Sequence, residues 1–125
     1  VTRERALVAN PAPMSEFVAP FTVQSKLTGH DYQVRFSHLW NAISTRHADA
    51  VDCKFFVDGR GVIVGLAHPA FVRFRERSGR DLTDREASHI AAAYLRERLE
   101  EEDEHALYDV PAEEVLRLAE ALGIG

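Results

Sequence analysis

Residues 51–67 read VDCKFFVDGRGVIVGLA, and this stretch decides the fold. Val51, Cys53, Phe55 and Val57 alternate with Asp52, Lys54, Phe56 and Asp58. Period-2 alternation is the mark of a strand with two different faces. Residues 62–67 are small and apolar, and Asp58-Gly59-Arg60-Gly61 between the two runs is a hairpin signal. A Gly59-Arg60 turn of type II′ suits the segment, because that turn needs a positive φ at its first central residue. With a two- or a four-residue loop, Val57 then pairs with Val62, Phe55 with Val64, Cys53 with Leu66 and Val51 with His68. These side chains form one apolar face. The other face carries Asp52, Lys54, Phe56, Ile63, Gly65 and Ala67, and Phe56 opposite Ile63 asks for a cover or a partner.

A second hairpin precedes it. Phe21, Val23 and Ser25 alternate with polar residues, as do Tyr32, Val34 and Phe36. Thr28-Gly29-His30-Asp31 lies between them. The pattern predicts Leu27 opposite Tyr32, Ser25 opposite Val34 and Val23 opposite Phe36. Ser37 is placed to cap a helix, and Leu39, Trp40, Ile43 and His47 follow at helical spacing. A short helix is expected from about His38 to Ala48.

Three further helices are expected downstream. Pro69 suits a first helical turn, and Ala70, Phe71 and Phe74 share a stripe that runs to Gly79. Thr83 and Glu86 form a capping box, and Leu82 can staple onto Ala87. From about Asp84 to Glu102 the apolar residues hold a 3.6-residue period. The last helix begins near Pro111 and ends before Gly123, a residue suited to the position just past a helix. The resulting fold class is α+β: a four-stranded antiparallel sheet made of two hairpins, under three to four helices, in the order ββαββααα. Residues 17–125 form one domain. Residues 1–16, with Pro11 and Pro13, read as a flexible arm, and Met14 is a candidate start.

Composition sets the broad class. The chain has 125 residues, of which 46% are hydrophobic and 28% charged, with a net charge of −5. That balance is globular. A single cysteine, Cys53, excludes an intrachain disulfide and a Cys-rich zinc site. It falls on the core face of its strand, where a thiol behaves as a small hydrophobe. No apolar run approaches the roughly 20 residues of a spanning helix. A cytoplasmic protein that does not enter membranes is expected. The acidic balance argues against a nucleic-acid partner.

No motif names a chemistry, and no cofactor or metal is expected. His38, at the hand-over from the first hairpin, and His68, at the end of a strand, are candidate ligand-binding residues in a pocket at the strand–helix edge. A general-base role would need a carboxylate partner that the pattern does not identify. Arg73, Arg77 and Arg80 are candidate anion-binding residues. The segment Arg73–Arg85 holds five arginines against three acids, whereas Arg96–Glu120 holds three against ten. An anionic partner at Arg73–Arg85 is therefore possible. The run Glu100–Glu104 reads as a solvated face, and a metal cluster of Asp103, Glu104, His105 and Asp109 matches no calcium loop. Phe56 and Ile63 are candidate interface residues. These features favour a small non-catalytic binding or protein-interaction module that self-associates as a homodimer. A small-ligand protein or enzyme using His38 and His68, and a nucleic-acid module using the arginines, are the alternatives.

Overall fold

The computed structural model describes residues 15–42 and 49–125. The elements follow in the order β1 (Phe21–Gln24), β2 (Asp31–Ala42), β3 (Ala50–Val57), β4 (Arg60–Ala67), α1 (His68–Ser78), α2 (Asp84–Glu100), β5 (Leu107–Val110) and α3 (Ala112–Ala121). The five strands form one sheet in sequence order, with β1 to β4 antiparallel and β5 parallel to β4. A parallel neighbour needs a crossover connection, and α1 with α2 supplies it. The fold is therefore α+β, as the pattern implies, but with a five-stranded mixed sheet and three helices among the described residues.

The central turn differs from the expected one. Asp58 (φ 50°) and Gly59 (φ 82°) both take positive φ, which defines a two-residue type I′ turn one position earlier than the Gly59-Arg60 turn. Val57 therefore pairs with Arg60, Phe55 with Val62, Cys53 with Val64 and Val51 with Leu66. The cause is local to Asp58. Its backbone N–H donates to Gln33 O (2.9 Å), and its carboxylate accepts from Gln33 N–H (2.8 Å). These bonds hold a residue type that tolerates the left-handed region in that region. The shift is by two residues, so every apolar side chain stays on its face.

The first hairpin slips by four residues, again an even number that keeps each side chain on its face. Val23 pairs with Tyr32 and Phe21 with Val34. Ser25 is buried and organises a longer loop, its hydroxyl oxygen accepting from Leu27 N–H (3.0 Å) and Thr28 N–H (3.1 Å). Leu27 is left exposed.

The predicted helix over 38–48 is replaced, as far as Ala42, by strand. Ser37 caps nothing. It sits in a bulge between Phe36 and His38, after which Leu39 pairs with Cys53 and Asn41 with Val51. Ile43 and His47 lie outside the described residues, as does most of the expected arm. Helical spacing at Leu39 and Trp40 loses to β3, whose backbone groups near the core need a ladder partner. Strand β5 carries an exposed–buried alternation too short to stand out, with Tyr108 and Val110 inward.

The core lies between one face of the sheet and the helices. Val34, Cys53, Phe55, Val57, Val64 and Leu66 meet Phe74, Ile90, Leu95, Leu99, Val115 and Leu118. Helix α2 starts with the predicted capping box, Thr83 accepting from Glu86 N–H and the Glu86 carboxylate accepting from Thr83 N–H. Arg80 completes it with two hydrogen bonds to Glu86 of 2.9 and 2.8 Å.

Replacing Thr83 with Ala is expected to cost about 1 kcal/mol, read as a lower urea midpoint at unchanged slope. The Arg80 guanidinium and the Thr83 N–H hold the Glu86 carboxyl below its ordinary value of 4.5. The folded chain thus takes up this proton less readily than the unfolded chain. The resulting stabilisation is complete above pH 4.5 and is lost as pH falls through the lowered value. Urea titrations of Glu86→Gln are expected to show lower stability at neutral pH and a flatter acid limb.

Candidate interaction surface

Strand β2 is longer than its neighbour β1. Only Asp31–Val34 pair with β1, whereas the ladder with β3 runs on to Ala42. Among the described residues, nothing pairs with the outer side of β2 beyond Val34. A groove of 420 Å³ runs along this overhang, lined by Phe17, Phe36 and Leu39 with Ser37, His38 and Asp84. Its wall is a stack of rings. Phe17 lies parallel to Phe36 at 5.4 Å, Phe36 meets the buried Phe55 edge-on at 5.5 Å, and the Arg85 guanidinium covers Phe17 at 5.1 Å. Aromatic contacts of this kind stabilise beyond the area they bury.

The sheet face away from the core carries no described helix. Its rows run His38–Lys54–Ile63–Leu107 and Trp40–Asp52–Gly65–Asp109 across the strands. The shifted turn separates the pair expected to lie opposite one another. Phe56 faces Gly61, and Ile63 faces Lys54. Arg35 and Lys54 lie over the Phe56 ring at 4.2 and 5.3 Å, so cations cover this phenylalanine in part. Gly61 makes room for the arrangement, since a Cβ there would come within 3.0 Å of Lys54 Cε. Trp40 remains 36% exposed and Leu107 41%.

The two candidate histidines are not brought together. The exposed His38 shares its face with Trp40, rings 5.1 Å apart, and its Nδ1 lies 2.9 Å from Ser37 Oγ. The exposed His68 opens α1 and stacks on Phe71 at 6.4 Å. It lies two strands across and five residues beyond the His38 row, roughly 16 Å along the sheet. One carboxylate, Asp84, does line the groove with His38.

The arginine segment is divided. Arg80 is engaged by Glu86, Arg75 lies 3.7 Å from Asp81, and Arg73 lies 3.8 Å from Glu113. Arg77 makes no hydrogen bond or ion pair with any described residue, and it borders a 390 Å³ groove between α1 and α3 with Arg73 and Glu120. The anion-binding candidates thus reduce to Arg77, with Arg73 beside it.

The acidic run is organised rather than simply solvated. Tyr32 donates to Glu104 (2.8 Å), Arg60 bonds the other oxygen of that carboxylate (2.8 Å), and the hydroxyls of Ser25 and Thr28 donate to Glu102. Burial, with the Glu104 carboxylate, pushes the Tyr32 hydroxyl up to about 12. His30 Nε2 lies 2.9 Å from Asp58, whose carboxyl is held low by the Gln33 N–H and by this histidine. Some seventy residues separate most of these partners, and no local pattern links them. Among the described residues, no group of three or more His, Cys, Asp or Glu is placed to hold a metal. No helix there is long and apolar enough to cross a membrane.

Comparison of the chain with protein-family models, curated protein sequences and solved structures finds no match.

Cys53 is fully buried, and burial pushes its thiol up. Iodoacetamide at neutral pH is expected to leave the native protein unmodified and to label it once urea unfolds it. Rapid labelling of the native chain would contradict the placement of this strand.

Proposed function

We propose that this chain is a non-catalytic interaction module that self-associates through its sheet. The supporting observation is the asymmetry of that sheet. One face is filled by three helices, while the other face and the β2 overhang present Trp40, Leu107, Phe56, Ile63 and an aromatic groove. Large apolar side chains left open on a sheet face that no described helix covers suit a contact site.

The polar clusters fit this reading better than a catalytic one. A nucleophile needs a base within hydrogen-bond reach and a third group to orient that base. His30 has its orienting carboxylate in Asp58, but the nearby hydroxyls of Ser25 and Thr28 are committed to Glu102. The one thiol is in the core. Of the arginines that suggest an anionic partner, Arg73, Arg75 and Arg80 each lie beside an acid of the same chain.

Native mass spectrometry with light scattering over a dilution series is the test. A dimer is expected. Trp40→Glu is expected to weaken it by about tenfold or more, a loss of at least about 1.4 kcal/mol. A wild-type chain that stays monomeric at the highest concentration would overturn the proposal.

A further inference from the structure

We infer that the outer edge of β2, from Arg35 to Ala42, pairs antiparallel with the same segment of a second copy, joining two five-stranded sheets into one. The inference rests on the self-association proposed above and names its surface and geometry.

The first argument is an edge that no described strand pairs with beyond Val34. A strand edge offers a row of unpaired N–H and C=O groups, and monomeric proteins guard such edges with lysine, proline, shortness or a bulge. Strands β1 and β5 are guarded by shortness, with four residues each. The β2 overhang spans eight residues, roughly 26 Å. From Phe36 to Ala42 it reads FSHLWNA, with no lysine, no proline and His38 as its one titratable side chain. Among the described residues the bulge between Phe36 and His38 is its single guard, and it leaves Leu39–Ala42 in regular pairing with β3.

The groove beside the edge is the second argument. Added strands gain affinity from main-chain hydrogen bonds and specificity from pockets for alternate side chains. The overhang has both. Phe17, 42% exposed, and Phe36 form an apolar shelf along it, with Leu39 continuing the shelf.

The third argument selects a second copy as the occupant. In an antiparallel pair centred on Leu39, this residue meets its own copy on the core side of the sheet. On the opposite side Trp40 comes across from His38 of the second copy. That repeats between chains the ring contact His38 and Trp40 already make within one chain at 5.1 Å. The two Arg35 side chains fall at opposite ends of the contact, so no like charges meet. In a chain of net charge −5 the overhang itself carries no acid, so no carboxylates are paired strand to strand, and Asp84 lies beside it in the groove. Two-fold pairing of one patch with itself is also the commonest route to a homodimer.

Disulfide trapping separates this edge from the helix-free face. The buried native thiol stays silent, so single cysteines can be placed at Ser37, His38, Leu39, Trp40 and Asn41, and for comparison at Phe56 and Ile63. Residues directly opposite on antiparallel strands lie about 4.5–5.5 Å apart at Cα, within disulfide reach. Mild oxidation is expected to give linked dimers at greatest yield for Leu39→Cys, falling off to either side, and little at Phe56→Cys or Ile63→Cys. Ser37→Lys, at an exposed position, is expected to raise the dimer dissociation constant by about tenfold or more with an unchanged circular dichroism spectrum. A dimer that links through Phe56→Cys or Ile63→Cys and ignores Ser37→Lys would overturn the edge pairing and leave self-association standing. A monomeric wild-type chain would overturn both. A wild-type dimer that none of these cysteines traps would also overturn the edge pairing.

Discussion

The type I′ turn at Asp58 and Gly59 is the constraint on which the rest of the structure depends. Two successive positive φ angles twist the chain to match the right-handed twist of β3 and β4. That match places Cys53 against Val64 and Phe55 against Val62, the centre of the buried sheet face. A slip by one residue would turn this whole set toward solvent. Asp58 also fastens the turn to the first hairpin through Gln33, so one residue sets the register of β3 on β4 and anchors β2 beside it.

One-sided helix packing follows from that register. The crossover from β4 through α1 and α2 to β5, and α3 after β5, put the helices over the face that holds Cys53, Phe55 and Leu66. The opposite face is left with residues that are neither a core nor a uniformly polar surface. Phe56 lies under Arg35 and Lys54, whereas Trp40 and Leu107 remain open. The same arrangement leaves the end of β2 with no described strand on its outer side, because β1 pairs only as far as Val34. Fold and proposed contact surface are therefore two aspects of one arrangement.

A polar knot closes the end of the sheet near the turn. Glu102 takes a positive φ of 56° and receives the Ser25 and Thr28 hydroxyls, while Glu104 bridges Tyr32 and Arg60. These bonds tie the segment after α2 to the first two strands and bring it into line for β5. An acidic run that looks like a solvated helix end thus works as a connector. Its carboxylates are used one by one, at fixed positions, by donors from distant parts of the chain.

Local signals were strong where the physics is local. Thr83 and Glu86 cap α2 because a hydroxyl and a carboxylate three residues apart reach the same helical turn. Pro69 and Gly79 bound α1 through their backbone preferences, and alternation alone put Cys53, Phe55 and Val57 on the buried face. The residues from Phe36 to Ala42 were illegible for a physical reason. Leu39 and Trp40 satisfy helical and strand spacing alike, and only the unpaired ladder of β3 selects the strand. Strand β5 is legible only beside β4, since four residues cannot signal a parallel partner across two helices. By itself the sequence determined the α+β class, the core side of the hairpins and the Thr83–Glu86 cap of α2. Tertiary structure alone decided the turn register, the fifth strand, the separation of His38 from His68 and the exposed edge of β2. Each of these depends on hydrogen bonds or packing between segments far apart in the chain, which no local pattern encodes.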